Sequence, residues 1–387
     1  MFQVFLTIAV LFLQLQISVS TVQASDRPPQ FVMLAFDNCQ ENQTWKDVSK
    51  FLDEMNSIQP DRLRFTFFLS AVGLLADQKK QIYTDPMGRT GKSNINFGGN
   101  DLSVLERVSW INKLHSEGNE IASHAVGHFS GKSWSVQQWR HEFKQYSYIV
   151  DNIVQIHGWT GAQAKKGTLL FKAKDLKGFR APYLEGGTAV NQVLTENGFI
   201  YDTSDTNQGF DPTTWPKKFS AHQSSEGLWN FGLGFIKLPL TVASKNSSGG
   251  PNIRTKTTTT VAAMDYNFCF RQTGDCPVKD PYAAEADKDA SEVLQGYLNY
   301  FLKNYNGNRA PVHIGHHFFQ YRGGAYNRIL LKFARAVCSQ PEVRCTTYEK
   351  LAEFMNESGT AKRNEFQAAK FPKAQPLSIE DLNKLIK

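Results

Sequence analysis

Long apolar runs are scarce in this chain of 387 residues. The one run of note is the opening "MFQVFLTIAVLFLQLQISVSTVQA", interrupted by Gln14 and Gln16 and too short to span a bilayer comfortably. Val22-Gln23-Ala24 before Ser25 is the small-x-small pattern of a signal-peptidase site, so residues 1–24 are expected to be a signal peptide. An uncleaved anchor is the rival reading. Nothing later in the sequence is long and apolar enough for a membrane span. Those first residues carry no charge, so the rest of the chain keeps the net charge of +7. A basic run with interleaved aromatics is missing, which argues against nucleic acid as a partner. No internal repeat or Pro- or Ser-rich linker divides the middle of the chain.

Cysteine is also scarce, with five residues. Cys269 lies close to Cys276, and Cys338 close to Cys345, so two local disulfides are expected in an oxidising compartment. Cys39 is left over as a small buried packing residue. A secreted protein, extracellular or periplasmic, is the expectation.

The apolar pattern switches repeatedly between strand and helix periods. "FVMLAF", "RFTFFL", "NEIASH", "LKGFRAPY" and "APVHIGHH" read as strands. "WKDVSKFLDEMNSI", "LSVLERVSWINKLHSEG", residues 135–157, "AVNQVLTENG" and "ASEVLQGYLNYFLKNY" read as helices. Residues 71–100 read as a long loop, and residues 243–262 as a polar, Thr-rich insertion. This alternation predicts parallel βαβ units, and their number suits a distorted (β/α) barrel of about seven units in an α/β fold. The barrel domain is expected over 25–358, with 359–387 a polar tail holding a possible short helix at "SIEDLNKLI".

Polar residues collect at the predicted strand ends, where such folds place their chemistry. "FDN" supplies Asp37 and Asn38, and "SHAVGH" supplies His124 and His128, a pair four residues apart among only nine histidines. "GFRAPY" supplies Arg180 and Tyr183, and "VHIGHH" supplies His313, His316 and His317. Taken singly, each has an ordinary explanation as a cap, an ion pair or a packing residue. In a strand, His313 and His317 face one way and His316 the other.

Together, Phe-Asp-Asn, His-x-x-x-His, Arg-x-Pro-Tyr and a late apolar strand ending in His resemble the polysaccharide deacetylases, carbohydrate esterase family four. The resemblance covers roughly residues 30–355. "NRAPVHIGHH", "CSQPEVRCTTYEKLAEFM" and the cysteine-flanked stretch near 269–276 look most like its chitin-deacetylase-like branch, without that branch's Cys-rich chitin-binding module. The resemblance implies hydrolysis of N-acetyl groups on N-acetylglucosamine in a polysaccharide, peptidoglycan or chitin-like. It implies one divalent metal, Zn²⁺ or else Co²⁺, held by Asn38, His124 and His128. Asp37 would be the general base, with Arg180 orienting it. The Tyr183 backbone N–H would hold the oxyanion. The late His would be the general acid: counting from "NRAP" favours His317, and an apolar-x-His pattern fits His316. Asp205 matches the supporting acid only weakly, because "YDTSDTNQ" lacks the expected Trp. "LPL" at 238–240 would contribute to an acetyl pocket.

One departure stands out. The family usually has a second Asp where this chain has Asn38. An amide oxygen can ligate, but it is neutral. The alternative expectation is therefore a degenerate deacetylase fold that binds glycans without cutting them.

Overall fold

Every residue of "QFVMLAFD" is apolar or buried, as a strand covered on both faces requires. In a computed structural model, which describes residues 27–206, 211–219, 227–245, 252–277 and 279–386, this segment is β1, Gln30–Asn38. The leader and its cleavage site lie outside the described residues. Beside β1 run β2 (Thr66–Leu69), β3 (Glu120–Ser123), β4 (Gly178–Phe179), β5 (Tyr201–Asp202), β6 (Lys217–Lys218) and β7 (Trp229–Asn230). Then come β8 (Phe235–Ser244), β9 (Ile253–Ala262), β10 (Val312–His317) and β11 (Val343–Cys345).

The sheet order is β10-β1-β2-β3-β4-β5-β7-β6, with β11 added to the start of β1. All of these pairs are parallel except β6 with β7. The sheet curls so that Phe31, Met33 and Ala35 share an interior cluster with Phe68, Ala122, Tyr201, Trp229 and Tyr348. Val32, Leu34 and Phe36 face the helical layer instead. The far side closes through a short bridge, where Gly315 N–H donates to Ala263 O at 2.9 Å. This is the distorted α/β barrel expected from the alternation.

The outer helices include Asn42–Ile58, Asp101–Ser116, Val136–Asp151, Ala286–Tyr305, Tyr321–Val337 and Tyr348–Gln367. Their starts follow local chemistry. Ser135 and Gln138 form a capping box, and the Asn100 and Thr347 side chains accept from Ser103 and Lys350 N–H. Both expected disulfides, Cys269–Cys276 and Cys338–Cys345, are present, and Cys39 is free and buried.

Two expectations need correction. The Thr-rich insertion is an arm, with β9 pairing antiparallel to β8 over ten residues each. Threonine is β-branched and suits a half-exposed strand, a preference hidden by the polarity of the run. Next to the expected boundary at 358, Gly359 (φ 69°, ψ 170°) leaves helical geometry and splits Tyr348–Gln367 into two helical pieces. Beyond it, helix Ile379–Ile386 buries Leu382 in the main core, so the tail packs with the barrel. The helix read over 135–157 breaks at Asn152 (φ −120°).

Gly315 has a packing reason. A Cβ there would lie 2.8 Å from Met264 Cε and 3.0 Å from Arg180 Nη1. The missing side chain leaves room for a guanidinium inside the barrel. Gly315→Ala should destabilise the fold by about 1–3 kcal/mol through overpacking. Urea unfolding checks this, and an unchanged midpoint would contradict the account.

Candidate active site

Adjacent parallel strands in one register bring distant residues together. Asp37 pairs with His317 across β1 and β10, and Asn38 pairs with Leu69 across β1 and β2. Ser123 pairs with Phe179, which sets His124 beside Arg180. These strand ends open into a cavity of ≈ 320 Å³. Asp37, Asn38, His124, His128, Tyr183 and His317 all line it.

At its floor, Arg180 Nη1 donates to Asp37 Oδ1 at 2.7 Å, with the arginine side chain fully buried. The remaining guanidinium donors reach Thr203 Oγ1 at 2.7 Å and Tyr348 Oη at 3.3 Å. The Phe68 ring lies 4.2 Å from the guanidinium carbon. Burial pushes the Asp37 carboxyl up, but the Arg180 charge, followed by His124 and His317, holds it below the ordinary carboxylate value.

His124 Nδ1 lies 2.7 Å from the Arg180 carbonyl. A carbonyl only accepts, so Nδ1 carries the proton and Nε2 keeps its lone pair. That Nε2 is buried without a partner, as is Nδ1 of His128. The two rings are 5.1 Å apart. Burial depresses both imidazoles, His124 to about 4 and His128 to about 3, so both are neutral near pH 7. Asn38 Oδ1 accepts from Ser70 Oγ at 3.1 Å and keeps a second lone pair. Two neutral imidazoles and an amide oxygen fit a divalent cation chemically, as a donor set with no charge of its own. Among the described residues, no group of three or more His, Cys, Asp or Glu side chains is arranged to hold a metal.

The opposite wall carries His317. Its Nδ1 lies 2.7 Å from Asp265 Oδ1, and its N–H donates to Asp265 Oδ2 at 2.8 Å. Burial lowers the imidazole, but the Asp265 carboxylate outweighs it and leaves His317 raised. His316 points away, with Nε2 3.0 Å from the Tyr297 hydroxyl and Nδ1 3.3 Å from Asn327. His313 is buried in the barrel, stacked on Tyr348.

Asp265 is therefore the acid beside the late histidine, and the assignment of that role to Asp205 is corrected. Asp205 accepts from Asn230 at 2.7 Å on a separate groove. Asp202 binds Ser204, whose hydroxyl oxygen takes the Ala181 N–H at 2.7 Å and so steadies the loop after Arg180. The sequence signal for Asp265 was an acid followed at once by an aromatic, Tyr266, hidden behind the Thr-rich arm. Leu238 and Leu240 of "LPL" are buried away from the cavity, with Leu238 against the helix at Gly296. Met264, Tyr266 and Tyr321 line the cavity instead.

Glu142 was also missed. It is fully buried, and its carboxylate accepts from Val126 and Gly127 N–H at 2.9 and 3.2 Å and from Tyr83 Oη at 2.8 Å. It thus holds the loop between the two histidines, where Ala125 and His128 take positive φ.

No family model and no curated protein matches the chain. Solved structures do align with it. A Mycobacterium smegmatis protein assigned as a polysaccharide deacetylase is 15% identical, with 85% of this chain and 91% of that chain covered and a TM-score of 0.46. The Xyl-CE4 domain of a multidomain xylanase from the hindgut metagenome of Trinervitermes trinervoides is 14% identical, covering 84% and 91%, with a TM-score of 0.39. The Bacillus anthracis protein BA3943, a CE4 family pseudoenzyme, is 8% identical, covering 84% and 66%, with a TM-score of 0.38.

The raised His317 gives a pH signature. A group raised in the folded state stabilises below its unfolded value, about 6.5 for an imidazole, and that contribution is lost as pH rises through the folded pKa. Asp265→Asn should therefore cost more stability in mildly acidic than in alkaline buffer. Denaturant midpoints at the two pH values decide it, and an equal cost at both would contradict the pairing.

Proposed function

We propose that the protein is a secreted, metal-dependent N-deacetylase acting on N-acetylglucosamine in a polysaccharide, peptidoglycan or chitin-like. One observation carries the reading. A charged, Arg180-held Asp37 shares a cavity with two neutral histidines that offer unpartnered buried nitrogens and with an Asp265-held His317. A structural ion pair alone would not need the other two.

Amide hydrolysis needs a strong nucleophile, a stabilised oxyanion and a protonated leaving amine. A bound divalent metal, Zn²⁺ first and Co²⁺ as the alternative, would supply Lewis-acid chemistry, which brings the pKa of water from about 15.7 towards 7. Asn38, His124 and His128 would hold it. Asp37 takes the water proton as oxygen adds to the acetyl carbon. Arg180 keeps that carboxylate ionised and fixes its direction. The Tyr183 backbone N–H is assigned to the oxyanion. His317 donates its proton to the leaving nitrogen as the carbon–nitrogen bond breaks, giving acetate and a free amine. His316 has no part in this scheme, since its ring is bound elsewhere. Two disulfides and the leader pattern support export. Among the described residues, no helix is long and apolar enough to cross a membrane.

A second reading rests on Asn38. With a neutral third donor already holding the Ser70 hydroxyl, the site can retain a glycan without holding the metal. The two readings separate by experiment.

Asp37→Asn should lower kcat for acetate release by about 10²–10⁴-fold, the usual worth of general-base catalysis. Turnover near wild type would remove Asp37 from the mechanism. Asn38→Asp places a charge at the cation and should tighten Zn²⁺ binding tenfold or more, about 1.4 kcal/mol, in a calorimetric titration. Equal affinities would mean that Asn38 is not a ligand. Acetate release and metal binding seen only in Asn38→Asp would award the natural protein to the glycan-binding reading.

A further inference from the structure

The chain holds 28 phenylalanines. Among the described residues, only Phe270 and Phe319 are exposed, at 46% and 48%. Each contacts a tyrosine that lines the cavity, Phe270 meeting Tyr266 and Phe319 meeting Tyr321. Ring centroids run from Phe319 to Tyr321 at 4.8 Å, from Tyr321 to Tyr266 at 5.7 Å, and from Tyr266 to Phe270 at 6.4 Å. The middle of this row touches the candidate general acid, with Tyr321 5.6 Å and Tyr266 6.4 Å from the His317 ring.

The row is rigid. Tyr266 and Phe270 are four residues apart on helix Asp265–Thr273 and share a face. Cys269–Cys276 pins that helix, and Asp265 Oδ1 accepts from Tyr266 N–H at 2.7 Å. Phe319 and Tyr321 lie in a tight turn, where Tyr321 N–H donates to Phe319 O at 2.9 Å. Arg322, the next residue, is tied down by Asp280 and Asp289. Exposed aromatics usually mark a binding surface, and rings that are already fixed lose little entropy when they are covered.

We propose that Phe319, Tyr321, Tyr266 and Phe270 form a stacking track for consecutive pyranose rings of a glycan chain that enters the cavity, an inference that rests on the carbohydrate reading above. A pyranose presents an apolar C–H face that an aromatic ring covers, while its hydroxyls stay in water. The cavity of ≈ 320 Å³ is at the small end of ligand sites, about 300–1,000 Å³, so the rest of a polymer has to lie outside it. The aromatic row is the apolar surface that continues from it, and it makes chain length a determinant of affinity.

Calorimetric titration with the N-acetylglucosamine trimer and hexamer tests this without requiring turnover. Wild type should bind the hexamer more tightly than the trimer. The double variant Phe270→Ala/Phe319→Ala should weaken hexamer binding about tenfold and lose that difference. Phe270→Tyr/Phe319→Tyr keeps the rings and should retain it, which separates stacking from misfolding. Wild type binding both oligomers equally, or the alanine variant keeping its preference for the hexamer, would overturn the track. Length-dependent binding that the alanine variant loses, in a protein that releases no acetate, would uphold the track while the deacetylase reading falls.

Discussion

The buried ion pair between Arg180 and Asp37 is the interaction on which the rest of the site depends. Removing two charges from water is costly, and the cost is recovered only when the remaining hydrogen-bonding groups are satisfied. Here Thr203, Tyr348 and the face of Phe68 complete the guanidinium. Counting Asp37, those partners come from four places in the chain, so the pair exists only when the barrel is closed. Gly315 opens the space, and the Arg180 carbonyl goes on to fix the tautomer of His124. One side chain and its own backbone thus set both the charge of the proposed base and the lone pair of a proposed ligand.

The backbone around the cavity is strained for the same purpose. Asn38, Cys39, Ala125, His128, Tyr183 and Leu184 all take positive φ. Such conformations cost about 1–3 kcal/mol each and persist where surrounding contacts enforce them. Glu142 enforces one loop through two backbone N–H groups, and Ser204 enforces the next through Ala181. Asn38 itself tolerates the left-handed region better than most residues. Its amide therefore answers a backbone requirement as well as supplying an oxygen, which bears on why a neutral residue stands at this strand end.

The fold was legible because its signals are local. Near-continuous apolar strands alternating with amphipathic helices predicted the curled parallel sheet, and cysteine spacing predicted both disulfides. The strand-end residues Asp37, His124 and Arg180 were legible from motif order, and counting from "NRAP" favoured His317 while an apolar-x-His pattern left His316 open. Asp265 was not legible, because a long hairpin arm intervenes between it and the strand ends that resemble its role. Glu142 was hidden for another reason: on the sequence it is one charge in an ordinary helix, and only the fold shows that it faces inward beneath a loop. The arm is hard to read from sequence because the polarity of its threonines masks their β-branching.

The central claim is that this constellation hydrolyses an N-acetyl group with a bound metal. Acetate release from an N-acetylglucosamine polymer, measured on the purified protein with chelator and again after adding back Zn²⁺ or Co²⁺, tests it most directly. The account predicts release that chelator abolishes and added metal restores. Release indifferent to chelator, or none under any metal condition, would contradict it.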